Sequence, residues 1–295
     1  MRLRRQPIII AAAAIFVIGI IVAIVSASKK DKDEAEAQKT IPTEMPINIS
    51  IMLDLSDRLI TAGPNDDMPQ TEKDTTIIGY VRQWFVNRQV QKKFMSGDMM
   101  HVFCYPNPKN PNISKLQDSL SVDLTLVPGK KLAAINRNKQ TLIAMPGVWN
   151  RSVEAIYSSA KETGPANRWP GSDVWGFFDR SVTSHCVKQG YRNVLIIMTD
   201  GYLWHKTSWT QTANGVYTGI LSKTIDQQNA ITEIKNDLSN LEVLFLEINP
   251  KKPTDFGKIK KLLTNWCKGM GIKHIDVICT DLPRNNHSSI IDFLE

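Results

Sequence analysis

The stretch at residues 193–199 reads NVLIIMT and is followed at once by Asp200 and Gly201. An unbroken apolar run of this kind predicts a strand at the centre of a parallel sheet, buried on both faces. A second run, NISIMLD at residues 48–54, is rich in β-branched residues and also ends at a carboxylate, Asp54. Outward from these two strands, apolar residues at helical spacing (Ile78, Val81, Phe85) predict a helix over 75–94. Further helices are expected at 149–161, 173–189, 224–238, 254–269 and 288–294. Strands are expected at 99–104, 241–248 and 274–279, and an alternating edge strand at 121–127. This alternation implies a three-layer, doubly wound α/β domain, Rossmann-like, with a mostly parallel sheet between helices.

Long polar loops lie at 55–74, 105–120, 162–172 and 202–223. In such folds ligands bind beyond the carboxyl ends of the strands. The loops at 55–74 and 202–223 directly follow strands and belong on that face. The loop at 162–172 leads into a helix, so its far end should reach the same face.

Residues 8–26 read IIIAAAAIFVIGIIVAIVS, with Arg2, Arg4 and Arg5 before them and Lys29, Lys30 and Lys32 after. About 20 apolar residues of helix cross a bilayer core, so residues 1–28 read as a single transmembrane anchor, with a cleaved signal peptide as the alternative. Residues 29–46 read as a charged linker and 47–295 as the domain, expected outside the cytoplasm. The net charge of +7 divides into +3 for residues 1–40 and +4 for the rest. Over about 255 residues that is ordinary solubility, not a nucleic-acid footprint. The run Lys258-Ile259-Lys260-Lys261 reads as a solvated helix face. The cysteines 104, 186, 267 and 279 form no CxxC pair and read as buried thiols, with one disulfide open if the domain is exported.

Three segments carry the candidate chemistry: Asp54-Leu55-Ser56-Asp57-Arg58, Gly171-Ser172-Asp173 and Thr199-Asp200-Gly201. Each offers only carboxylate, hydroxyl and carbonyl oxygens, the donor set of hard divalent cations. Other chemistries lack their signatures. Ser56 stands where a dehalogenase-type phosphatase needs a second Asp, no Gly-rich turn follows the first strand, and no Gly-x-Ser-x-Gly is present. The histidines have no metal-ligand spacing. The domain is therefore not expected to be an enzyme, with a metal-assisted hydrolase as the alternative.

In IMLDLSDR, PGSDVWGFF and VLIIMTDGYLW, taken in order, the chain resembles the von Willebrand factor A domain over about residues 47–280. The resemblance implies a metal-ion-dependent adhesion site. Asp54 and Ser56 take its first two positions, Ser172 stands where the family usually has Thr, and Asp200 is the last carboxylate. Mg²⁺ is the implied ion, with Mn²⁺ or Ca²⁺ as alternatives. Arg58 departs from the pattern, standing where the family has its second Ser. Arg cannot ligate a cation, so a metal-free interaction domain is the alternative reading. The implied function is binding of a protein partner, through an acidic side chain where a metal is held. Asp57, Arg58, Asp173, Tyr202, Trp204, His205 and Trp209 are the candidate partner contacts; the last four belong to an aromatic-rich loop, and aromatics concentrate at interaction hot spots.

Overall fold

A computed structural model describes residues 45–56, 68–107, 110–125, 131–162, 171–205, 220, 225–226, 231 and 233–295. The expected anchor and linker lie outside the described residues. Among those described, no helix is long and apolar enough to cross a membrane.

The elements run β1 (Ile47–Leu53), α1 (Gln70–Gln91), β2 (Met99–Phe103), α2 (Pro111–Asp118), β3 (Ser121–Asp123), α3 (Lys131–Glu162), α4 (Val174–Arg180), α5 (Val182–Cys186), β4 (Arg192–Met198), β5 (Leu241–Ile248), α6 (Phe256–Gly269), β6 (Ile275–Cys279) and α7 (Pro283–Leu294). The strands form one sheet in the order β3-β2-β1-β4-β5-β6. Every pairing is parallel except β2 with β3. The fold is thus mixed α/β with a mostly parallel central sheet, as the alternation of runs predicts.

Side chains alternate across the sheet and divide the core in two. Ile49, Ile51, Val194 and Ile196 pack against α1, α3 and α7, while Met52, Leu195, Ile197 and Phe245 pack against α4, α5 and α6. β1 and β4 lie side by side at the centre, in register from Ile47↔Arg192 to Leu53↔Met198. From β1 the chain winds outward through β2 and β3, and from β4 it winds the other way through β5 and β6. The boundary between β1 and β4 is therefore the topological switch point, where parallel sheets open a crevice at their carboxyl ends.

Several expected boundaries are corrected. α1 begins at Gln70 rather than 75 because its polar first turn has buried partners. Gln70 Nε2 donates to Asp74 Oδ1 (2.8 Å) and Glu247 Oε2 (3.1 Å), and Tyr157 donates to Asp74 Oδ2. α3 runs through Pro146 instead of starting beyond it, although Pro removes one helical hydrogen bond. The helix expected over 173–189 is two short helices. They break at Ser181, whose hydroxyl donates to Tyr105 Oη (3.1 Å). The polar loop at 105–120 contains α2, capped by Asn110, which accepts from Asn112 N–H (3.0 Å). The edge strand pairs over only three residues, after which Leu124 N–H turns to Asp98 O (3.0 Å). The helix expected over 224–238 is absent from residues 233–238. There Leu238 N–H donates to Met270 O (2.8 Å) and the Asn236 amide to Phe178 O (2.7 Å), so tertiary partners replace the helical ladder. All four cysteines are free thiols, three of them buried.

At the opposite end of the sheet, Arg192 forks onto Glu242 (2.8 Å to each oxygen) and also donates to Phe293 O (3.0 Å). His274 Nδ1 lies 2.6 Å from the same carboxylate. Burial pushes the Glu242 carboxyl up, but hydrogen bonds from Arg192 and His274, with their charges, outweigh it and hold it below its ordinary value. A depressed folded pKa contributes stability above the unfolded value, about 4.3. That contribution is lost as pH falls through the folded value. Glu242→Gln is therefore expected to flatten the acid limb of thermal stability below about pH 4. Melting curves from neutral to acid pH check this. An unchanged acid limb opposes it.

Candidate functional site

The site is built where β1 and β4 end. Asp54 N–H donates to Met198 O (3.1 Å), extending the ladder one residue beyond the strand. The Asp54 side chain is only 3% exposed. Its Oδ1 accepts from Ser56 N–H (2.9 Å), and its Oδ2 from the fully buried Thr199 hydroxyl (2.9 Å). The ends of the two central strands are thereby joined through one carboxylate. Asp200 follows Thr199 and is half-buried. Its Oδ1 accepts from Tyr202 N–H (2.9 Å), and its carbonyl from Asn249 N–H (3.0 Å).

The third segment arrives from the head of α4. Gly171 N–H donates to Leu55 O (3.2 Å), the Ser172 hydroxyl to Leu53 O (3.2 Å), and Asp173 N–H to Tyr105 O (3.0 Å). Gly171 has φ +64°, and a Cβ there would stand 3.5 Å from the His205 ring. Glycine therefore sets the turn that brings Ser172 onto the β1 end. The three segments expected to share this face are bonded to one another.

Four oxygen side chains cluster on the first two segments and the third: Asp54, Ser56, Thr199 and Ser172. The Ser56 hydroxyl is buried and has no hydrogen-bond partner among the described residues. The Ser172 hydroxyl spends its proton on Leu53 O, which leaves its lone pairs to accept. Burial, and then the negative charge of Asp54, push the nearby Cys104 thiol up, so it is protonated and unreactive. Among the described residues, no group of three or more His, Cys, Asp or Glu side chains is arranged to hold a metal ion. The cluster of one carboxylate and three hydroxyls at Asp54, Ser56, Thr199 and Ser172 is of another kind.

The candidate partner contacts separate sharply. Asp57, Arg58 and Trp209 lie outside the described residues. Asp173 is buried and caps α4, with Oδ1 accepting from Gly176 N–H (2.9 Å) and Oδ2 paired with Arg180 (2.8 Å). His205 is also buried, its Nδ1 3.9 Å from Asp173 Oδ2. Both side chains hold the 171–173 loop from behind, so the expectation that they face a partner is corrected: a buried cap presents no surface. Trp204, 51% exposed, does face solvent. Tyr202 is half-buried, and its hydroxyl accepts from Lys251 N–H (2.8 Å). Reading the sequence placed Thr199 in a candidate segment without naming it as a site residue, and left Arg180 and Lys251 out of the site. Thr199 had a signal, its place at the end of a central strand; Lys251 had none, because it reaches Tyr202 only through the sheet.

No protein-family model and no curated protein matches the chain. Among solved structures, it is similar to an aerotolerance-related membrane protein from Bacteroides fragilis, at 12% identity and TM-score 0.33, over 84% of this chain and 98% of that one. It is similar to a mutant of the PilB minor pilin from Streptococcus sanguinis, at 9% identity and TM-score 0.42, over 86% of this chain and 62% of that one. It is similar also to the pilus adhesin SpaC from Lactobacillus rhamnosus GG, at 13% identity and TM-score 0.39, over 85% of this chain and 30% of that one. Likenesses this distant carry no functional assignment.

Proposed function

We propose that the domain is an interaction module of the von Willebrand factor A type, binding a protein partner at the carboxyl ends of β1 and β4 through a divalent cation, with Mg²⁺ first. The observation that supports it is the buried Ser56 hydroxyl, without a hydrogen-bond partner among the described residues, beside the Asp54 carboxylate at the switch point of the sheet. A buried hydroxyl without a partner costs roughly 1–3 kcal/mol, a cost that a bound cation would remove. Asp54, Ser56, Ser172 and Asp200 are the residues that would hold the ion. When bound, a divalent cation supplies an open position for an oxygen of the partner. The chain's own part is to fix that position. Thr199 and Ser56 N–H orient Asp54, Leu53 O orients Ser172, and Tyr202 N–H orients Asp200. Trp204 supplies exposed apolar area at the rim. The proposed activity is binding, not turnover.

Calorimetric titration of Mg²⁺ or Mn²⁺ into residues 41–295 tests this. Saturable heat is expected from the native sequence and none from Asp54→Ala. Absence of heat from both removes the cation. A second reading then stands, a metal-free module, favoured by the fact that each Asp54 oxygen already accepts from a protein donor. It expects partner binding to survive EDTA. We also propose that residues 8–26 anchor the chain in a membrane. Extraction of the chain by alkaline carbonate would count against this.

A further inference from the structure

The positive charge of the domain is concentrated, not spread. Residues 251–273 contain seven lysines and one carboxylate, Asp255, a net of +6 in a domain whose own excess is +4. They form the turn after β5, then α6, then the approach to β6. α6 buries Ile259, Leu263, Trp266 and Cys267 in the core beneath it and turns its lysines outward. Lys258 is neutralised by Asp226 and Asp255 (3.2 Å), and Lys260 by Asp276 (3.0 Å). Lys252, Lys261 and Lys268 are exposed and have no ion pair among the described residues. At the head of the strip the Lys251 ammonium lies 5.7 Å from the centre of the Tyr202 ring, and Trp204 stands exposed two residues on. The row of outward lysines thus begins beside Tyr202, on the segment that carries the exposed Trp204.

We infer that this strip docks an acidic segment of a partner protein, with Trp204 as the apolar anchor at its head. Charge complementarity selects the occupant. α6 has its apolar side committed to the core, so it has nothing to insert into a bilayer. The strip has no arginine, the residue whose planar fork suits phosphate, so a nucleic acid or lipid headgroup is matched less well than separated carboxylates. A helix of 14 residues spans about 21 Å, the reach of about six or seven extended residues. The strip adjoins the rim of the Asp54 site through Tyr202 and Trp204 and needs no cation.

The test uses the full chain in detergent micelles with EDTA present, and a fluorescein-labelled glutamate peptide of about eight residues. Anisotropy is expected to show binding that weakens several-fold between about 50 and 200 mM salt. Reversal of Lys251, Lys252, Lys261 and Lys268 to Glu is expected to weaken it at least about tenfold, the scale set by several rim charges acting together. A matched reversal of Lys115, Arg151, Lys161 and Arg284 to Glu should leave it unchanged. A leucine added to the peptide's end should tighten binding to the native chain but not to Trp204→Ala. Circular dichroism verifies that each variant folds; a strip variant that unfolds is replaced by the four lysines changed singly. No binding, or equal loss in both reversals, overturns the proposal. So does tighter capture of phosphatidylglycerol vesicles or single-stranded DNA that the strip reversal abolishes. Failure of the cation titration alone leaves the strip standing.

Discussion

Asp98→Ala is expected to lower the unfolding free energy by about 3–5 kcal/mol, the cost of stripping one partner from a buried ionic group. Asp98 is fully buried between the end of α1 and the start of β2. Its Oδ1 accepts from the backbone N–H of Ile47 (2.9 Å), the first residue of β1. Its Oδ2 accepts from Gln89 Nε2 (2.7 Å) and Arg88 Nε (3.0 Å). One carboxylate therefore fastens the entry of the central strand to the helix that follows it. Alanine leaves a buried backbone donor and a buried amide without their acceptor, and a cavity beside them. Asp98→Asn keeps an acceptor for Ile47 and loses the charge, so it should fall between. Urea unfolding with an unchanged slope measures both. A loss below about 1 kcal/mol for alanine would mean that water enters and replaces the carboxylate.

The second large effect is expected at Gly176, one turn into α4. An added Cβ would lie 2.0 Å from Arg180 Nη2, 2.2 Å from Asp173 Oδ2 and 2.6 Å from Asp173 Cγ. The Gly176 N–H is also the donor that Asp173 accepts as helix cap. Gly176→Ala must therefore displace the carboxylate that caps the head of α4, on the residue next to Ser172. Loss of a cap and overpacking together predict about 2–4 kcal/mol. The usual preference for Ala over Gly within a helix, roughly 0.5–1 kcal/mol, acts in the opposite direction. A double-mutant cycle separates the two effects. In the Asp173→Ala background the same Gly176→Ala change should cost little or become favourable. An equal cost in both backgrounds would place the clash elsewhere. If the cation reading holds, Gly176→Ala should also weaken Mn²⁺ binding although Gly176 supplies no ligand.

Much of the fold was legible because strands announce themselves locally. NVLIIMT is an unbroken apolar run and NISIMLD an apolar-rich one, and each is a central strand followed by its carboxylate, with the sheet mostly parallel. Boundaries that depended on distant partners were not legible. Gln70 and Asp74 look like solvent-facing loop until Tyr157 and Glu247 are folded against them. Residues 233–238 look helical until Met270 and Phe178 take part of their hydrogen bonding.

The candidate site divides in the same way. The sequence by itself determined that Asp54, Ser56 and Asp200 follow strand ends, because strand period and strand termination are properties of adjacent residues. Only the tertiary structure decided that the Ser172 loop lands on the end of β1, that Thr199 binds Asp54, and that Asp173 and His205 turn inward as supports. It also decided that Lys251 rests on Tyr202, which brings a run of lysines to the segment that carries an exposed tryptophan. The reason is physical: a side chain's burial and its hydrogen-bond partner are set by atoms that the sheet brings together from far along the chain, and no local pattern records them.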